Sequence, residues 1–94
     1  MNTAAQPDIL MYSTRVCPYC ERARALFARK QVSFKEVKVD ADPQAFATMM
    51  KRSNGRRSVP QIFIGDTHVG GYDDMVALDQ AGKLDSLLGI DRIS

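Results

Sequence analysis

The sequence has no tryptophan, one histidine and only two cysteines among its 94 residues. Two thiols and the distant His68 fall short of the four ligands that a tetrahedral structural zinc site takes, so no metal is expected to be held within one chain. His68 reads instead as a surface residue of a hairpin. Long apolar runs are missing too: nothing approaches the roughly 20 residues that a membrane helix needs, and no membrane partner is expected. The opening segment MNTAAQPD has neither the basic region nor the apolar run of a secretory leader, and the expected compartment is cytoplasmic. A surplus of one charge sign is also lacking, because the formal net charge of +2 is too small to imply a nucleic-acid partner. No repeat, linker or low-complexity stretch divides the chain. It reads as one domain over residues 1–94, with residues 1–7 a flexible tail.

Both cysteines fall in one short stretch, VCPYC, two residues apart. A disulfide stabilises a fold more the longer the loop it closes, and Cys17 to Cys20 closes almost none, so a structural staple is a poor reading. With 45% hydrophobic residues the chain should build a modest core without metals or disulfides. Where thiols are kept reduced, a disulfide is usually transient and catalytic. The basic residues concentrate in RARALFARK (Arg22 to Lys30) and in KRSNGRR (Lys51 to Arg57). Solvated surface explains most of them, and a local field that favours anions near the cysteines is the sharper alternative.

Along the chain, DILMYS (Asp8 to Ser13) has the length and content of a buried strand. From Tyr19 the period changes: Ala23, Leu26, Phe27 and Lys30 recur at helical spacing, which predicts a helix from about Pro18 to Lys30. Proline suits the first turn, where its missing N–H removes no intrahelical bond. VSFKEVKVD alternates and predicts a second strand, crossing over to lie parallel to the first. DPQAFATMMKRSNG supplies a second helix, capped by Asp42 and ended by Asn54-Gly55. VPQIFIGDTHVGG predicts a hairpin around Gly65-Asp66, YDDMVALDQAG a third helix, and Leu84, Leu87 and Leu88 a short last one. The order is β-α-β-α-β-β-α-α.

A cysteine at the mouth of the first helix meets unpaired backbone N–H groups and the positive end of the helix dipole. Both favour a thiolate over a thiol. Cys17 is therefore the candidate nucleophile, and Cys20, one turn further in, the resolving thiol. C-x-x-C directly after the first strand of a strand-helix-strand unit is the context of a redox motif.

CPYC, followed downstream by SVPQIFI and then GGYDD, closely resembles the glutaredoxins of the dithiol class from about Asp8 to Leu88. The resemblance implies a thioredoxin-like α/β fold: a small mixed four-stranded sheet with helices on both faces. It implies a glutathione-dependent thiol-disulfide oxidoreductase that reduces protein–glutathione mixed disulfides and protein disulfides, with glutathione as electron donor and no metal or flavin. The implied partners are glutathione and glutathionylated or disulfide-containing proteins, ribonucleotide reductase among the candidate clients, and the implied state is a monomer. Pro60 matches the family's cis-proline, and Val59 before it would pair its backbone with the cysteinyl part of glutathione. Arg57 matches a basic position that meets the glycine carboxylate. Gly70 and Gly71 would allow close approach, and Tyr72 and Asp73 open a helix whose amides would hold the γ-glutamyl carboxylate. Tyr19 would flank the thiol. Thr14 stands where many relatives carry a lysine, with Arg15 a candidate replacement, and Ser58 stands in place of the commoner threonine.

Two rivals remain within reach of the sequence. A thioredoxin-like redoxin reduced by thioredoxin reductase is opposed by the missing tryptophan and by GGYDD. An iron-sulfur carrier sharing a cluster through Cys17 and glutathione is opposed by Pro18 and Tyr19, which crowd the thiol.

Overall fold

The computed structural model describes residues 7–90. All but Pro7 of the expected tail lies outside the described residues. The elements are β1 (Ile9–Ser13), α1 (Pro18–Lys30), β2 (Lys35–Lys38), α2 (Pro43–Arg52), β3 (Gln61–Ile64), β4 (Thr67–Gly70), α3 (Tyr72–Gln80) and α4 (Leu84–Leu87), in the expected order. The strand expected across VSFKEVKVD is shorter, because only Lys35–Lys38 pairs with β1. Its flanking apolar residues serve the core individually: Phe34 sets its ring 4.9 Å from Phe27, and Val39 is buried beyond the strand end.

The sheet order is β2-β1-β3-β4, with β1 parallel to β2 and antiparallel to β3. Composition explains the order. QIFI is buried at every position and β1 nearly so, whereas KEVK and THVG carry polar side chains that suit the edges. Alternation then divides the apolar residues between two faces. Ile9, Met11, Ile62 and Ile64 pack with Leu26 and Phe27 of α1, Met75 of α3 and Leu84 of α4. On the other face Tyr12 and Phe63 pack with Met49 of α2, joined by Leu10, Val37 and Phe46. With only ten residues α2 leaves part of this face as an open groove of about 810 Å³ between Leu10, Phe34, Val37, Arg52 and Phe63.

Helix ends are fixed by local chemistry. Asp42 Oδ1 accepts from the backbone N–H groups of Gln44 and Ala45, and Pro43 follows it in the first turn of α2. Asn54 and Gly55 take positive φ after that helix, as the sequence suggested. α1 is tied sideways by ion pairs. Arg24 donates through Nε and Nη2 to Glu36, whose carboxylate also accepts from Ser13 and Lys38. Lys30 Nζ lies 2.7 Å from Asp79 and 2.8 Å from Asp85, joining α1 to α3 and α4.

Candidate active site

The chain leaves β1 at Ser13, turns through Thr14–Val16 and starts α1 with Cys17 as its N-cap in an extended conformation. Cys17 Sγ accepts from the Cys20 backbone N–H at 3.0 Å, the role an oxygen plays in most caps. The two cysteines are joined as a disulfide, with Cα atoms 5.1 Å apart. Their surroundings differ. Cys17 keeps 7% of its surface while Cys20 has none, and beside them Val16 and Tyr19 stand out at 83% and 50% exposed.

Facing Cys17 is the segment before β3. Val59 O lies 3.9 Å from Cys17 Sγ, a contact rather than a hydrogen bond, because a disulfide sulfur carries no proton. The Val59–Pro60 peptide is cis. Next to this edge a cavity of about 190 Å³ is bounded by Ser58, Val59 and Pro60 on one side and by Gly71, Tyr72, Asp73 and Asp74 at the start of α3 on the other, with Tyr19 and Arg56 completing it. The Tyr19 and Tyr72 rings are 6.2 Å apart, and the Arg22 guanidinium sits 5.1 Å from the Tyr19 ring.

Gly71 caps α3 without a side chain. Its N–H donates to Asp74 Oδ2 at 2.8 Å, and the same oxygen accepts from Arg56 at 3.4 Å. Gly70 has φ of +110°, a backbone conformation that residues with a side chain rarely adopt, and a Cβ there would also press on the ends of the Asp74 and Arg56 side chains.

The structure thus brings together Cys17, Cys20, Tyr19, Ser58, Val59, Pro60, Gly71, Tyr72 and Asp73. Three sequence candidates do not border this cavity. Arg57 points its guanidinium over the Phe46 ring at 5.7 Å, Thr14 Oγ1 donates to Val16 O, and the Arg15 N–H donates to Asp40. In place of Arg57, its neighbour Arg56 borders the cavity. Sequence reasoning missed Arg56 and Asp74. Asp74 had a legible signal, a carboxylate at the third helical position, which reaches back to the cap N–H. Arg56 had none, since adjacent loop residues point apart in a way that only the folded chain decides.

His68 is not the plain surface residue expected. It is half-buried, stacked on Phe63 at 4.6 Å, with Nε2 2.7 Å from Gln61 Oε1. Burial, and then the positive charge of Arg56, pull its pKa below the usual histidine value. Among the described residues no three His, Cys, Asp or Glu side chains gather as a metal-holding group.

With this geometry in place, comparison with known proteins is decisive. The glutaredoxin family model matches residues 9–69. A probable glutaredoxin of Synechocystis sp. is 53% identical over 85 residues, spanning 90% of this chain and 97% of that protein. The solution structure of glutaredoxin from Brucella melitensis superposes with a TM-score of 0.81 at 47% identity, covering 99% of this chain and all of that one. A buckwheat glutaredoxin–glutathione complex superposes with a TM-score of 0.79 at 28% identity, covering 87% of this chain and 76% of that one. The sheet and its helices are accordingly thioredoxin-like. A chain of this fold, carrying C-x-x-C at the mouth of its first helix, belongs to the glutaredoxin family of thiol-disulfide oxidoreductases, in its dithiol class.

Proposed function

We propose that this protein uses glutathione to reduce protein–glutathione mixed disulfides and protein disulfides, with Cys17 as nucleophile and Cys20 as resolving thiol. The observation that carries this reading is the contrast between the two sulfurs: Cys17 reaches the surface beside the Val59 edge and the small cavity, and Cys20 is enclosed. In the reduced protein the Cys20 N–H, which points at Cys17 Sγ, stabilises a thiolate there together with the helix N-terminus. That thiolate attacks the glutathionyl sulfur of a mixed disulfide. A bond forms between Cys17 Sγ and glutathione, the old S–S bond breaks, and the client thiolate leaves to be protonated by solvent. A second glutathione thiolate then takes the glutathionyl group, forming oxidised glutathione and restoring Cys17. With a protein disulfide, Cys17 forms the mixed disulfide and the Cys20 thiolate displaces the client, leaving the Cys17–Cys20 disulfide for glutathione to reduce. All electrons pass between sulfurs, so the cycle needs neither metal nor flavin.

Glutathione is peptide-like, with two carboxylates and one ammonium group. Val59 offers backbone groups for strand-like pairing, Tyr19 and Tyr72 flank the sulfur, and the start of α3 offers N–H groups to a carboxylate. Arg56, which lines the cavity, is the cation proposed for the other carboxylate, and Asp73, also on its lining, the anion for the ammonium. The buckwheat complex, a relative of the same fold, supports a glutathione ligand. The working form is a cytoplasmic monomer, and its clients are glutathionylated or disulfide-bearing proteins. The test is turnover of the mixed disulfide between hydroxyethyl thiol and glutathione, coupled to glutathione reductase and NADPH. Glutathione-dependent turnover is expected; reduction supported only by thioredoxin reductase would overturn the reading.

A further inference from the structure

Gln61 opens β3 with a side chain that is 0% exposed, although a primary amide has two donors and an acceptor to satisfy. Its Nε2 donates to Ser58 O at 3.0 Å and lies 3.3 Å from Ser58 Oγ. A backbone carbonyl only accepts, so the NH2 end must face Ser58 and Oε1 must face His68, whose Nε2 is 2.7 Å away. An amide oxygen also only accepts, so His68 Nε2 carries a hydrogen: the orientation of Gln61 and the tautomer of His68 follow from Ser58. The ring is held in place by its stack on Phe63, with an interplanar angle of 22°. The chain of hydrogen bonds therefore runs from β4 across β3 to the edge of the cavity.

Ser58 C=O and Val59 N–H belong to one trans peptide unit, since among the described residues only Val59–Pro60 is cis. The two groups of a trans unit point opposite ways, so pinning Ser58 O toward Gln61 directs Val59 N–H away from it. We propose that Gln61 and His68 are positioning residues, which hold the Ser58–Val59 peptide so that Val59 N–H is presented to the backbone of a disulfide substrate. The inference rests on the proposed pairing of glutathione with Val59. Neither residue touches the reacting sulfurs, so both act on binding rather than on the exchange step.

The test compares His68→Phe, which keeps the stack and removes the donor, with Gln61→Glu, whose carboxylate accepts but does not donate to Ser58 O. Both should raise KM for the hydroxyethyl–glutathione mixed disulfide about three- to tenfold. The kcat and the alkylation rate of reduced Cys17 should stay within about twofold of the parent. In both variants the Val59 amide resonance should move, and the double variant should be no worse in KM than Gln61→Glu alone, because both act through one peptide. An unchanged KM in a folded His68→Phe protein would overturn the proposal. Should Gln61→Glu fail to fold, His68→Phe alone decides. If the parent chain showed no glutathione-dependent turnover, the proposed function would fail by itself. The Val59 amide, which needs no substrate, would then decide the positioning: a shift in His68→Phe supports it and an unmoved resonance overturns it.

Discussion

Cys17 and Cys20 stand one helical turn apart, and the variants that replace them separate the two routes of the proposed cycle. Removing a glutathionyl group needs one protein thiol, because free glutathione completes the exchange. Cys20→Ser is therefore expected to keep most deglutathionylation activity while losing the dithiol route to protein disulfides. Cys17→Ser should lose both, since a serine hydroxyl stays protonated and attacks sulfur poorly. Loss of deglutathionylation in Cys20→Ser as complete as in Cys17→Ser would contradict the assignment. The arginine pair makes a second residue-level test. Arg56 borders the cavity and reaches Asp74, whereas Arg57 lies over Phe46. Arg56→Glu should raise KM for the glutathionylated substrate by about tenfold, and Arg57→Glu by no more than about twofold. The reverse ranking would return the ligand carboxylate to Arg57.

At the scale of elements, α1 and β2 are joined by the Arg24–Glu36 pair, which Ser13 and Lys38 extend. The Arg24 hydrogen bonds, followed by those from Ser13 and Lys38, hold the Glu36 carboxyl at about 2, well under its ordinary 4.5. A depressed folded-state pKa means that the unfolded chain binds the proton more readily. The stabilisation is present above about 4.5 and is lost as pH falls through about 2. Arg24→Met should lower the urea midpoint near neutral pH by the equivalent of about 0.5–1 kcal/mol and flatten the acid limb of the stability profile in that window. An acid limb identical to the parent's would remove Glu36 from the explanation. The elements themselves were largely legible, because period, Pro18, Pro43 and the Asp42 cap are local signals that packing does not override. β2 was overextended because alternation continues through Phe34 and Val39, whereas the ladder with β1 runs only from Lys35 to Lys38, with Val39 adding one last backbone N–H to Ser13 O. The paired cysteines were legible for the same local reason, whereas the Val59-Pro60 edge was legible only through the resemblance of SVPQIFI to the glutaredoxins. The Gln61–His68 link was not: it crosses two strands whose register shifts between Ile62 and Phe63, and such a shift leaves no mark in composition.

For the molecule as a whole, one ammonium group binds three helices. Lys30 Nζ meets Asp79 of α3 and Asp85 of α4, and the hydrogen bonds to Asp79 and then Asp85 raise its pKa. Lys30→Met would remove the cation that Asp79 and the buried Asp85 share, and should lower the midpoint of urea unfolding by the equivalent of about 1–2 kcal/mol. Adding Asp85→Asn should recover part of that loss; a midpoint insensitive to Lys30→Met would show that solvent serves these carboxylates equally well. The contrast between the two sulfurs also has a meaning for the direction of traffic. Displacement at sulfur is in line, so an arriving thiolate must approach opposite the atom it expels. Cys20 is enclosed and Cys17 keeps a small exposed surface, so under the proposed roles an external thiol attacking the oxidised protein would bond to Cys17, with Cys20 as the leaving group. On the proposed roles the fold would work as a valve, parking an incoming reductant on the outer sulfur and keeping clients off the inner one.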